Sequence, residues 1–122
     1  MTVTRHRATT VLLWVVTALE ALIMALAGAG KFSGDHWAKL FIGWGYPVAF
    51  TYVIGAAEVV GALLLLVPKL ASWAAIGLSV IMIGAIVTQV RQPGPGGWTS
   101  AAVHLVLLVV IGTGRWPARS RG

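Results

Sequence analysis

Four apolar runs dominate this chain, over residues 9–30, 48–67, 70–90 and 98–114. Each is near the ~20 residues a helix needs to cross a bilayer, with the fourth the shortest. None shows the alternation of barrel strands, and helices satisfy every backbone group within the spanning segment itself. Pro47 and Pro68 punctuate the second run, and Gln92-Pro93-Gly94-Pro95-Gly96-Gly97 breaks the chain after the third. The short fourth run calls for thinning, packing or snorkelling to absorb its mismatch. The expected fold is an all-α membrane protein with one domain over residues 1–122. It is a bundle of four transmembrane helices, with a short amphipathic interfacial helix between the first two.

Hydrophobic residues make up 58% of the chain and charged residues 10%, against roughly 25% charged in a soluble domain. With no cysteine, thiol–disulfide exchange, structural disulfides and thiolate metal ligands are excluded. The net charge of +6 would suit nucleic acid in a soluble protein. Here the basic residues lie at the ends of apolar runs, so they read as orientation signals, and no nucleic-acid partner is expected. Arg5, Arg7, Lys69, Arg115, Arg119 and Arg121 fall on one side, against Lys31, Lys39 and Arg91 on the other. That bias sets both termini in the cytoplasm. Trp14, Trp73 and Trp116 then mark the inner boundary, and Trp37, Trp44 and Trp98 the outer one. Residues 1–29 also resemble a signal peptide ending at Ala27-Gly28-Ala29, but the apolar stretch is long for a signal core and carries Glu20 in its middle.

Glu20 and Glu58 are the anomaly, two of only three acidic residues in the chain. An ionised carboxylate at the bilayer centre costs at least ~2.5–3.5 kcal/mol. Each lies about ten residues, or about 15 Å, from the outer end of its helix, so both should share a level near the midplane. If adjacent antiparallel helices bring them together, both cannot ionise comfortably, and at least one holds a proton. The small residues Ala21, Ala25 and Ala29, and the Ala57-x-x-x-Gly61 pattern around Glu58, permit such close approach. Lys31 shares the face of Glu20 but lies about 16 Å along the axis, too far for a direct pair without another helix. His104, about six residues into the fourth helix, and Gln89, near the outer end of the third, approach from the outer side. Glu20, Glu58, His104, Gln89 and Lys31 are therefore the candidate ligand- or proton-binding set, with His104 as proton exchanger. The alternatives are structural. A protonated glutamate can lock helices together, His104 can cap a carbonyl, and Lys31 and Gln89 can sit at the interface. No metal site is expected, because the i, i+3 or i+4 ligand pairs of metal-binding bundles are missing.

Trp37, Leu40, Phe41 and Trp44 follow the i, i+3, i+4, i+7 stripe of a short amphipathic helix. Ser33 or Asp35 is expected to cap it, and Gly43, Gly45 and Pro47 to stop it. Lying at the interface, it would act as an anchor, a docking surface, or a roof in which Trp37, Phe41 and Trp44 form an apolar lid over the carboxylates.

Three motifs, taken in order, resemble the DoxX-like family of small bacterial membrane proteins. They are Ala27-Gly28-Ala29-Gly30-Lys31-Phe32, Gly43-Trp44-Gly45-Tyr46-Pro47, and Gly55-Ala56-Ala57-Glu58-Val59-Val60-Gly61-Ala62. Thr88 and Gln89 stand for the polar end of the third helix in such proteins. The resemblance spans roughly residues 15–110. It implies a multi-pass four-helix bundle in the bacterial cytoplasmic membrane, associated with redox assemblies that oxidise sulfur compounds with quinone as acceptor or protect against thiol stress. The expected role is thus a membrane subunit or adaptor without catalytic activity of its own. Its carboxylate pocket would receive a quinol-like or other small amphipathic ligand. A quinone or lipid is the expected non-covalent cofactor, and membrane lipids, a redox protein or further copies of the chain are the expected partners. A proton-coupled carrier acting as an oligomer and a purely structural scaffold are the rival readings. No nucleotide loop, nucleophile triad or haem ligand pair is present to suggest other chemistry.

Overall fold

The computed structural model describes residues 2–92 and 97–114. The sequence expectations that rest on Arg5, on residues 93–96 and on Arg115, Trp116, Arg119 and Arg121 lie outside the described side chains. Five helices follow in order: α1 (Thr2–Gly30), α2 (His36–Gly43), α3 (Val48–Leu65), α4 (Ala71–Arg91) and α5 (Thr99–Gly114). There is no strand among the described residues. Three stretches are long and apolar enough to cross a membrane, Arg7–Gly30, Val48–Leu65 and Ala71–Arg91, while α5 is apolar but has only 16 residues. The backbone of α1 continues to Thr2, well before the apolar run begins, because a helix needs no apolar face once it has left the span.

The long helices form a ring. α1 packs on α3, α3 on α4, α4 on α5, and α5 returns to α1, while α2 rests on α3. The outward face of this ring is apolar: Leu12, Leu26, Val80 and Val106 are each more than 60% exposed. The interior holds Thr17, Glu20, Lys31, Thr51, Glu58, Ser72 and Thr88 beside small and aliphatic residues. A water-soluble domain buries its large apolar side chains and exposes its charges. Here large apolar side chains lie mostly on the outside, and Glu20, Lys31 and Glu58 lie within.

Where lipid replaces water, helices associate through close packing rather than through a hydrophobic drive. The tightest approach here joins α1 and α3. A Cβ added to Gly28 would lie 2.6 Å from the Gly55 carbonyl oxygen, and one added to Gly55 would lie 2.9 Å from that of Gly28. α3 and α4 close similarly at Gly61, where a Cβ would meet Leu78 Cδ2 at 2.7 Å. Near the far end of the bundle from α2, the Ser72 hydroxyl donates to the Gly112 carbonyl at 3.0 Å.

The amphipathic helix expected between the first two runs is α2. Its N-cap position is Asp35, but no side-chain cap forms. The Asp35 carboxylate instead pairs with exposed Lys39 at 3.2 Å, since one helical turn brings the two together. The end of α2 does follow the glycine expectation. Gly45 takes φ 91°, the Tyr46 N–H reaches the Phe41 carbonyl, and the Gly45 N–H reaches that of Ile42. This paired closure needs a left-handed residue and turns the chain into α3.

The Gly28–Gly55 crossing makes a sharp prediction. Gly28→Ala should destabilise the bundle by about 1–3 kcal/mol, because backbone rather than a movable side chain blocks the added methyl. Gly30→Ala, which meets nothing within 4 Å, should leave stability unchanged or slightly raised. Thermal unfolding of both variants in lipid nanodiscs checks this; equal melting temperatures would refute the close contact.

Candidate functional site

On α1, Glu20, Met24, Ala27 and Lys31 recur at i, i+4, i+7 and i+11, one continuous face of the helix. Lys31 immediately follows Gly30, where i to i+3 backbone bonds from Lys31, Phe32 and Ser33 tighten the last turn. Its side chain turns inward, and Lys31 is only 6% exposed. The Lys31 Nζ lies 2.6 Å from Glu58 Oε1 on α3, off the directional geometry of a hydrogen bond, so charge holds the contact. The same ammonium sits 4.4 Å from the centre of the Trp37 ring on α2, a cation–π contact that partly replaces lost water. Lys31 therefore points into the bundle rather than out from the helix end.

Glu20 finds a different partner. Its Oε1 lies 2.6 Å from His104 Nδ1 on α5, while Oε2 has no protein partner. Engagement of Nδ1 leaves Nε2 of the imidazole available, and His104 borders the cavity described below. The two carboxylates were expected to meet in one pocket; here each has a basic partner of its own, Glu58 with Lys31 and Glu20 with His104. Glu20 and Lys31 share one face of α1 but lie about three turns apart along it, so Glu20 meets α5 and Lys31 meets α3.

Both pairs adjoin one cavity of about 490 Å³, a volume within the ~300–1,000 Å³ usual for small-molecule sites. Lys31, Glu58, His104 and Gln89 line it, and so do Trp37, Phe41 and Trp44. Of the residues singled out from the sequence, Glu20 alone does not line it; it lies behind His104, 1% exposed. Phe41 is the hub of the aromatic roof, with ring centroids 6.5 Å from Trp37, 5.4 Å from Trp44, 6.0 Å from Tyr46 and 6.0 Å from Phe50. Two hydrogen bonds tie this roof to α4. Tyr46 Oη and Thr88 Oγ1 lie 2.6 Å apart, and Gln92 Nε2 donates to the Trp44 carbonyl at 2.7 Å. Sequence reasoning named Thr88 without a partner and gave no part to Tyr46 or Gln92. Their polarity at the apolar boundary was the available signal. No group of His, Cys, Asp or Glu able to hold a metal occurs among the described residues.

The family model described as the DoxX-like family matches residues 15–111. The chain belongs to the DoxX-like family. Comparison with curated proteins gives no match, and comparison with solved structures gives none. Family membership and the apolar perimeter together make this a membrane protein. Within the family match lie Glu20, Lys31, Glu58 and His104, so both acid–base pairs belong to the shared segment.

The Lys31–Glu58 pair can be tested by a double-substitution cycle. Lys31→Met alone should cost about 3–5 kcal/mol, because it strands a buried carboxylate. Lys31→Met combined with Glu58→Met should recover most of that loss. Chemical or thermal unfolding in nanodiscs reads the difference, and strictly additive losses would show that the two side chains are not coupled.

Proposed function

We propose that this DoxX-like protein is a non-catalytic membrane subunit whose interior pocket receives a small, neutral, amphipathic ligand of the quinol type within a redox assembly. The observation that carries this reading is the convergence of two internally neutralised pairs, Lys31–Glu58 and His104–Glu20, on one aromatic-roofed cavity. Each basic side chain has its own acid, so an added ligand charge would be left without a counter-ion in a low-dielectric site. A neutral ring with oxygen substituents meets no such penalty.

The lining suits such a ring. Trp37, Phe41 and Trp44 offer flat apolar surface, while Lys31, Glu58 and the free nitrogen of His104 offer hydrogen-bond donors and acceptors. A quinone, when bound, supplies reversible exchange of two electrons and two protons. The residues of this chain orient the ring, exclude water, and hold a proton at His104 Nε2, with Glu20 keeping the imidazole in position from behind. Any thiol–disulfide exchange coupled to the quinone belongs to a partner protein in this reading, since the chain has no cysteine. α5 serves as a fourth span, its 16 residues covering about 24 Å. Both termini then face the cytoplasm by the basic-residue bias, and the α2 end of the bundle faces outward.

Binding of a decyl-substituted benzoquinone to the protein in nanodiscs, read by quenching of tryptophan fluorescence, tests the pocket. His104→Phe should weaken binding by about tenfold or more, the worth of one hydrogen bond from a basic group. Unaltered binding in His104→Phe, Glu58→Gln and Lys31→Met would overturn the pocket. Proton flux into liposomes that disappears in Glu58→Gln would assign the site to a carrier instead.

A further inference from the structure

Aromatic side chains cover much of the cavity at the α2 end, and between α3 and α4 its walls reach the surface of the bundle. At the α2 end the Phe41 cluster covers it, with the Tyr46–Thr88 and Gln92–Trp44 hydrogen bonds fastening the roof to α4. Along the side, α3 and α4 are in contact at Gly61 and Leu78. From that point toward α2 the cavity runs between them, walled by Phe50 and Ile54 of α3 and by Val80 and Gly84 of α4. Phe50, Ile54 and Gly61 occupy one face of α3, so the face that closes on α4 at Gly61 borders open space a few turns away.

Two of these walls also lie on the perimeter of the bundle. Val80 is 64% exposed and Phe50 39% exposed, and both border the cavity. A Cβ on Gly84 would meet nothing within 4 Å, although Gly84 is a cavity residue. The pocket therefore reaches the apolar outer surface through a fissure between α3 and α4, and the four fissure walls carry no polar side chain.

Building on the quinol-type reading above, we infer that the ligand carries a single apolar chain and enters sideways from the lipid between α3 and α4. Its head lies beside Lys31, Glu58 and His104, and its chain stays in the fissure over Val80 and Gly84. An apolar chain needs no hydrogen-bond partner there and remains in contact with the lipid from which it came.

The test compares two probes in the same nanodiscs, a decyl-substituted benzoquinone and the identical ring without the chain, both read by tryptophan quenching. Gly84→Phe places a ring on the α4 wall of the fissure, where the first added carbon meets nothing within 4 Å. It should weaken binding of the decyl probe by about tenfold while leaving the chain-free ring within about twofold. Gly77→Phe serves as a control, because Gly77 meets nothing within 4 Å and does not border the cavity; it should change neither probe. If Gly84→Phe leaves the decyl probe untouched, or weakens both probes equally, the lateral entry is wrong while the pocket stands. If neither probe binds the unaltered protein, the quinol-type reading falls and this inference falls with it.

Discussion

A charge held inside an apolar bundle has to be neutralised by something within reach, and here that requirement is met by the approach of α1 to α3. Lys31 and Glu58 are both almost fully buried. They can meet because Gly28 and Gly55 let the two backbones come nearly into contact a turn or less away. A side chain at either glycine would spread the helices and leave a buried ammonium and a buried carboxylate apart. The glycine crossing and the ion pair are thus one device, with packing setting the distance and charge giving that distance a purpose.

The second pair extends the same logic to α5. Glu20 lies too deep to reach Lys31 on its own helix, and His104 supplies the nearby base. The two pairs leave the cavity polar yet neutral, and the Phe41 cluster shields it at the α2 end. Such a site favours a ligand that brings hydrogen-bonding oxygens without net charge. The apolar walls between α3 and α4 then govern how that ligand arrives, because only a molecule already dissolved in lipid meets them first.

Much of this was legible in the residues. The apolar runs announced the long helices, and the stripe of Trp37, Phe41 and Trp44 announced α2. Glu20 and Glu58 stood out by cost alone, and His104, Gln89 and Lys31 could be grouped with them as polar residues approaching from the outer side. The partners could not be read. Lys31 looked interfacial because a lysine just past a helix end usually reaches outward; it turns inward here since Glu58 and the Trp37 ring lie close at hand. Asp35 looked like a cap, yet its carboxylate goes to Lys39. The fastening of Tyr46 to Thr88 joins residues 42 positions apart, and neither signals the other.

What the chain determined by itself is periodic and one-dimensional: helical apolar runs, the breaks between them, and the depth of each polar residue along its helix. Tertiary structure alone decided which side chain answers which. That choice depends on the rotation of each helix about its axis and on the order of helices around the ring. Helices that are apolar on nearly every face carry little pattern to fix either quantity. Rotation and order follow instead from where glycines allow backbones to touch, a property of pairs of helices that no single segment contains.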